Sequence, residues 1–388
     1  TNTNLYKYIN RENMKISLIQ ENLAKALLHI NKAVSNRPNI PVLANVLLET
    51  EKGQLKLSAT NLEIGVSSWI GASVAEEGSI TVSAKLLADF VNSLKPGKIE
   101  LIQQGQTLVV KSVDNTAEFF IIPADDFPTL PEVEGEASLD LNALQFADAI
   151  ASTVFAAGTD ESRPVLTGAL LTAEKKELSV VALDGFRLSK KKITLDNALS
   201  EAITEVVPAK ALSEVEKLIK DTANEESRLK IYLMSNRNQM LFKLDDVELT
   251  TRLIEGKFPN YEDILPSEKL LTFKIKKSDF SDTLKVVSIF ARNVVGNKAR
   301  FKVDTTEEKL MLAANVIDLG NNESTVKVKN LDGDDFEAGF NVRFLSEMTN
   351  AIKSDDIIFE SNGPTAPGVF LDPDDKDFIH VIMPMRLN

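Results

Sequence analysis

Cysteine is absent from the 388 residues, and histidine (His29, His380) and tryptophan (Trp69) are scarce. Without cysteine there can be no disulfide framework, thiolate zinc site or cysteine nucleophile, and a reducing, intracellular setting fits. Two histidines leave little material for an imidazole metal or acid/base site. No apolar run approaches the roughly 18 residues that a membrane helix needs. The opening stretch TNTNLYKYINREN, residues 1–13, lacks the apolar core of a signal peptide, so the cytoplasm is the expected compartment. The GxxxxGK[ST] loop that cradles phosphates is also missing, which argues against a nucleotide site. Acidic clusters do occur, at Asp332, Asp334 and Asp335 and at Asp372, Asp374 and Asp375, but neither has EF-hand spacing and both read as solvated turns. The expectation is therefore no metal, no cofactor and no catalytic residue. The 57 Asp and Glu against 44 Lys and Arg, a net charge of -13, argue on average against nucleic acid. That argument concerns the average only: a chain can be acidic outside and basic along one lining surface.

What the chain does have is internal repetition. Residues 37–61, RPNIPVLANVLLETEKGQLKLSATN, align without a gap to residues 162–185, SRPVLTGALLTAEKKELSVVALDG, and more weakly to residues 298–315, KARFKVDTTEEKLMLAAN, where Leu310 stands for Leu178 and Leu55. Each reads as a β-hairpin about a charged turn, with alternating apolar residues on both sides. A strand and an amphipathic helix precede each hairpin, the helices burying Leu23, Leu27, Ile30 and Val34, then Phe146, Ile150 and Val154, then Phe280, Leu284 and Val287. A second helix follows each: Ser83 opens one burying Leu86, Leu87, Phe90, Val91 and Leu94, Pro208 one burying Leu212, Val215, Leu218 and Ile219, and Val342 precedes one burying Leu345, Met348 and Ile352. The unit is strand, helix, strands, then the same again, about 125 residues long and present three times, giving six related half-units of α+β type. The joints are the Pro-bearing acidic stretches at 124–138 and 255–269, both with Phe-Pro, at Phe127-Pro128 and Phe258-Pro259.

The repeated helices carry most of the informative positive charge: Lys25, Lys32, Lys85, Lys210, Lys217, Lys285 and Arg343 among them. Any one of these residues is explained by a solvated helix face with dipole-favourable lysines. If the repeats stack edge to edge with helices on one side, however, they line one continuous surface. The helix at 145–155 has no basic residue and breaks the pattern.

Three local motifs, ALDGFRLS at 182–189, EGKFPNYEDILP at 255–266 and HVIMPMRL at 380–387, together with the threefold repeat, resemble the bacterial DNA polymerase III β subunit, the sliding-clamp family. The resemblance covers residue 14 onward and leaves 1–13 as an extension, with clamp domains expected at 14–136, 137–267 and 268–388. It implies three tandem clamp domains, each a duplicated helix-plus-antiparallel-sheet unit, and a head-to-tail homodimer closing a six-domain ring around duplex DNA without regard to sequence. It implies a non-catalytic processivity factor that tethers the replicative polymerase, the clamp loader, and repair and translesion polymerases through short peptide motifs. The matching positions of the peptide groove are Leu166, Leu183, Gly185, Arg187, Leu188, Pro259, Ile264, Asn341, Phe344, Val381, Ile382, Met383, Pro384, Met385, Arg386 and Leu387, with Arg187, Arg386 and Asn341 expected to fix the peptide's polar groups. Arg37 matches a DNA-facing arginine of the family, and the basic residues named above are placed with it by helix position. Ala117 and Phe119 on one edge, and Val294 and Val295 on the other, match the protomer interface. Three positions depart from the family's usual residues: Leu183 replaces a small polar residue, Phe186 a histidine and Asp263 a basic residue, so the preferred peptides are expected to differ.

Two other readings predict different behaviour. A metal-assisted hydrolase built on the Asp-rich turns would lose activity with Asp334→Ala, and a peptide-binding repeat scaffold that never encircles DNA would be monomeric.

Overall fold

The computed structural model describes residues 12–35, 39–133, 135–234, 238–265 and 268–387. The element order repeats three times. The first repeat runs β1 (Glu12–Ile19), α1 (Gln20–Ile30), β2 (Asn45–Glu51), β3 (Gln54–Thr60), β4 (Ile64–Gly71), β5 (Ser73–Ser83), α2 (Ala84–Ser93), β6 (Lys98–Gln104), β7 (Thr107–Lys111) and β8 (Thr116–Pro123). The second runs β9 (Leu139–Asn142), α3 (Ala143–Thr153), β10 (Gly168–Glu174), β11 (Glu177–Leu183), β12 (Arg187–Thr194), β13 (Ile203–Pro208), α4 (Ala209–Thr222), β14 (Arg228–Met234), β15 (Gln239–Leu244) and β16 (Val247–Arg252). The third runs β17 (Leu271–Lys276), α5 (Lys277–Ala291), β18 (Lys298–Asp304), β19 (Lys309–Val316), β20 (Gly320–Gly333), β21 (Phe336–Asn341), α6 (Val342–Ala351), β22 (Asp356–Ser361), β23 (Gly368–Asp372) and β24 (Asp375–Ile382).

The aligned hairpins are β2-β3, β10-β11 and β18-β19, and the equivalent leucines Leu55, Leu178 and Leu310 are all fully buried. Strand pairing fixes which face each apolar residue presents, so the same period-2 pattern gives the same buried side in every copy. The helices bury the expected stripes with three exceptions, Leu86, Phe90 and Val34. Leu86 is exposed on α2, where Leu87 and Val91 take the core positions and Phe90 is half-buried. Val34 lies beyond α1, after a short 3₁₀ turn, and is half-buried. The first strand begins at Glu12, which pairs with Gly78.

The chain divides into two compact units, residues 1–144 with 217–253 and residues 145–216 with 254–388, and the second repeat contributes to both. Each unit contains one twelve-stranded sheet. In the first unit the order is β1-β6-β7-β8-β5-β2-β3-β4-β16-β15-β14-β9, with β1 also pairing β5. The second has β13-β10-β11-β12-β24-β23-β22-β17-β20-β19-β18-β21. The run β5-β2-β3-β4-β16-β15-β14-β9 thus reappears, strand for strand, as β13-β10-β11-β12-β24-β23-β22-β17. In both, the fourth strand of one repeat takes the last strand of the next as its antiparallel neighbour. Within the first unit α1 packs on β3 and β4 and beside α2; within the second α5 packs on β19 and β20 and beside α6.

Trp69 sits in β4 at the first of these joints. Its backbone N–H donates to the Asp246 carbonyl at 2.9 Å and its indole N–H to Glu51 at 3.2 Å, while the ammonium groups of Lys56 and Lys243 lie 5.1 and 5.8 Å from the ring centroid.

Candidate partner groove and free sheet edges

The residues expected to form the groove gather around the turn between β11 and β12. Asp184 Oδ1 accepts the backbone N–H groups of Phe186 (2.8 Å) and Arg187 (3.0 Å), and Gly185, between Asp184 and Phe186, takes a left-handed φ of 92°, which a side chain would strain. Leu183 and Leu188 face each other across this turn, and Val381 of β24 is the neighbour of Leu188. These three join Leu170, Val181, Val206, Phe258 and Val369 in one buried apolar cluster, and Leu166, Tyr261 and Ile264 pack against it half-exposed. Five of the predicted positions, Leu166, Leu183, Leu188, Ile264 and Val381, therefore converge. Pro259 and Met383 are exposed, and the Met383 N–H donates to the Phe186 carbonyl at 2.8 Å, tying the strand's exit to the tip of the turn.

Several predicted roles change. Ile382 alternates to the opposite face from Val381 and belongs to the core of the third repeat, with Phe340 and Phe359. Arg187 is 5% exposed and cannot serve as a free hand for a peptide. Its Nε donates to Asp184 at 3.0 Å, Nη1 pairs with Glu347, Nη2 donates to the Phe155 carbonyl at 2.8 Å, and the guanidinium lies 4.2 Å from the ring centroid of Phe344. Asn341 caps α6, its Oδ1 accepting from the N–H groups of Arg343 (2.9 Å) and Phe344 (3.4 Å), so it orients Phe344. Both residues brace the wall. The tail beyond Pro384 runs along the outer edge of β21: Met385 exchanges two backbone bonds with Gly339 (2.8 and 3.2 Å), and Lys298 Nζ donates to the Arg386 carbonyl at 3.1 Å. The Met385 methyl seats on Gly296, φ 74°, where any side chain would collide with it. Leu387 reaches Gly339 from the same side.

One groove residue escaped the sequence reading. Arg163, more than half exposed, has Nη1 3.8 Å from where a side chain at Gly185 would begin, and Asp160 pairs with it at 3.6 Å. Its signal was its place immediately before Pro164 in the repeated motif, three residues ahead of Leu166.

His380 lies under this wall, fully buried, stacked on Phe155 with ring centroids 5.4 Å apart, and neither ring nitrogen has a hydrogen-bond partner among the described residues. Burial, and secondarily the positive Arg187, push its pKa down to about 3. The unfolded chain, with an ordinary histidine pKa of about 6.5, takes the proton first. Stability contributed by the neutral ring is therefore complete above that value and is lost as pH falls toward 3. Urea titrations from pH 7.5 to 4.5 should show native stability falling with acidification, by up to about 1.4 kcal/mol per pH unit more than in His380→Leu. Parallel slopes for the two proteins would refute this assignment.

The basic residues separate by unit. In the first, Lys25, Lys85 and Lys217 are exposed on α1, α2 and α4, but Lys32 is tied to Asp221 at 2.9 Å with its side chain 13% exposed, and is no open phosphate contact. Arg37 lies outside the described residues. In the second, Lys210 is exposed on α4, while Lys285 and Arg343 line one shallow cleft of about 490 Å³ between α5 and α6, shared with Arg292, Asn297 and Ser346.

The predicted interface residues also need correction. Phe119 is 4% exposed and packs edge-on against Phe90 at 5.6 Å, inside its own domain; the adjacent Phe120, 88% exposed, is the one that faces out. Ala117 and Val294 are half-buried, and Val295 is exposed. Residues 116–120 of β8 pair only with β7, and residues 320–327 of β20 pair only with β19, so among the described residues both have one open edge. Exposed Ile317 (85%) and Leu319 (70%) enter β20 at that edge.

Among the described residues no group of three or more His, Cys, Asp or Glu side chains is placed to ligate an ion, and carboxylates in both Asp-rich turns have local partners. Asp372 is buried and accepts from the backbone of Lys353 and Ser354 and the hydroxyl of Ser354; Asp335 accepts from Thr305 at 2.9 and 2.6 Å. Their carboxyls are held below the usual range, that of Asp335 chiefly by the Thr305 hydroxyl, that of Asp372 by its bonds to Ser354 and Lys353 against the opposing effect of burial. These carboxylates close turns.

Family models for the N-terminal, central and C-terminal domains of the DNA polymerase III beta subunit match residues 14–131, 140–260 and 262–386 in turn. The chain belongs to the beta sliding clamp family. The beta sliding clamp of Synechocystis sp. is 32% identical over 394 residues, covering 96% of this chain and 100% of the relative. The DNA polymerase III subunit beta of Pseudomonas aeruginosa, 28% identical, superposes with a TM-score of 0.90 over 96% of this chain and 100% of that one. A second Pseudomonas aeruginosa clamp structure, bound to griselimycin, is 28% identical with a TM-score of 0.88 over the same shares. Sliding clamps are non-catalytic processivity factors of the polymerase holoenzyme, and with that family the hydrolase reading loses its ground. No helix among the described residues is long and apolar enough to cross a membrane.

Proposed function

We propose that two copies of this chain close head to tail into a six-domain ring around duplex DNA in the cytoplasm, and that each protomer tethers the replicative polymerase, the clamp loader and repair polymerases through short apolar peptides. The carrying observation is the sheet continuation. β4 takes β16 and β12 takes β24, which leaves residues 320–327 of β20 as an acceptor edge and residues 116–120 of β8 as a donor edge. Pairing these between copies repeats the same joint, and a heterologous contact that closes on itself makes a ring. Phe120 from β8, and Ile317 and Leu319 beside β20, supply its apolar part in place of Phe119 and Val294. The domains are taken as 14–136, 137–267 and 268–388.

Encirclement holds DNA by topology, so weak, sequence-blind contacts from Lys25, Lys85, Lys210, Lys217, Lys285 and Arg343 suffice, and a net charge of -13 is no obstacle. Retention on nicked circular DNA, after loading by a competent ATP-driven loader, is the test. The ring should persist on the circle in high salt and leave when the circle is linearised. Salt-labile binding indifferent to DNA ends, with a monomeric mass, would favour the scaffold reading.

The groove takes its apolar floor from Leu183, Leu188 and Val381 and its adaptable rim from Met383 and the tail. Deleting residues 385–388 removes the bonds to Gly339 and Lys298 and should abolish binding of an apolar polymerase-tail peptide in an anisotropy titration, leaving the dimer intact. Unchanged affinity would sink the groove assignment.

A further inference from the structure

The carboxylate of Glu347 on α6 stands between two guanidinium groups, one from β12 and one from α6 itself. Glu347 pairs with buried Arg187, which belongs to the groove, and also with Arg343, 3.6 Å away and 63% exposed, which lines the α5–α6 cleft. The two arginines share a second partner. Arg187 lies 4.2 Å and Arg343 5.5 Å from the centroid of the Phe344 ring, whose backbone N–H is fixed by the Asn341 cap. Their environments are unequal. Arg187 is locked by Asp184 and the Phe155 carbonyl as well, whereas Arg343 makes, among the described residues, the long ion pair to Glu347 alone. An anion arriving in the cleft meets Lys285, which pairs with Asp282 at 2.9 Å, together with Arg292 and Arg343, and drawing Arg343 toward it costs little, because an exposed pair of that length contributes little. When it turns to a phosphate, Glu347 is left wholly to Arg187, in a drier setting where a charge-assisted pair is stronger.

We infer that Glu347 is a positioning residue that couples the cleft to the groove: a DNA phosphate held by Arg343 tightens the Arg187–Glu347 pair, stiffens the Phe344 wall and raises affinity for partner peptides. The inference rests on the peptide-groove reading above. Linkage makes it reciprocal, so a bound peptide raises affinity for duplex by the same factor. The consequence is a clamp that holds its partners more firmly when it is on DNA than when it is free.

The test is anisotropy of a labelled apolar polymerase-tail peptide on the intact dimer, at low salt, with and without a saturating short blunt duplex. In the native protein the duplex should lower the peptide Kd roughly fivefold, the lower end of typical coupling. The ratio of the two constants should fall to one in Arg343→Gln and in Glu347→Gln, and recover in Arg343→Lys, which keeps the charge; a purely structural role for Glu347 would change both constants together and leave the ratio alone. Peptide binding that ignores the duplex in the native protein would overturn the coupling while leaving the groove reading intact. Absence of peptide binding under both conditions would remove the groove reading and the coupling with it.

Discussion

A variant carrying Ile317→Asp and Leu319→Asp should sediment as a monomer at concentrations where the native chain is a dimer. Both side chains are exposed in the single protomer, so the substitutions leave its core untouched and its thermal unfolding nearly unchanged. In the assembled ring they would bury two carboxylates at the margin of a strand pairing, without partners. Unpaired charge in an interface of this kind weakens it by more than about 3 kcal/mol, above a hundredfold in the dissociation constant. The control is Phe119→Asp. That residue packs on Phe90 inside its own domain, so a carboxylate there should destabilise the fold by roughly 4 kcal/mol whatever the assembly state. Sedimentation velocity and thermal unfolding of both variants separate the two effects. A stable dimer in the double variant would move the interface away from the entry to β20.

Removing Arg187 should have the second large effect. Arg187→Ala strips Asp184 of its cation, leaves Glu347 only its long pair to Arg343, frees the Phe155 carbonyl and takes away the plate against Phe344. Breaking a largely buried pair from one side leaves the other side uncompensated, at about 3 kcal/mol. The loss should appear in the unfolding of the unit that contains residues 145–216 and 254–388, together with a drop of tenfold or more in peptide affinity. Arg187→Lys should not rescue it, since an ammonium cannot present the planar fork that reaches three partners at once. Native peptide affinity in Arg187→Ala would show that the wall stands without its brace.

Much of this molecule is readable from residue pattern because the fold repeats. A hairpin such as β10-β11 has strict alternation, and Leu178 could be placed inside before any coordinates were known. The helix stripes at Phe280, Leu284 and Val287 are equally direct. Reading fails where the local pattern is symmetric or the partner is remote. In Phe119-Phe120 both neighbours are aromatic, so alternation says one faces in without saying which; pairing with β7 decides it. Val381 and Ile382 pose the same problem, and membership of two different cores settles it. Leu86 and Leu87 are a third such pair, and Leu87 wins because it shares a face with Val91 and Leu94. Arg187 looked like a hand for the peptide because its partner Glu347 is 160 residues away, and Lys32 looked like a phosphate contact because Asp221 is 189 away. Charge on a helix is visible in a sequence, whereas neutralisation by a distant chain segment is not.

Trp69 gives the protein a built-in optical reporter. As the single tryptophan, it is held by Glu51 and Asp246 and flanked by two ammonium groups at the β4-β16 seam, so its emission reports on the surroundings of that seam. The second compact unit has no such fluorophore. A spectral shift on heating that comes before or after the loss of far-ultraviolet dichroism would therefore order in time the parting of the first seam and the melting of the rest, without any label being added.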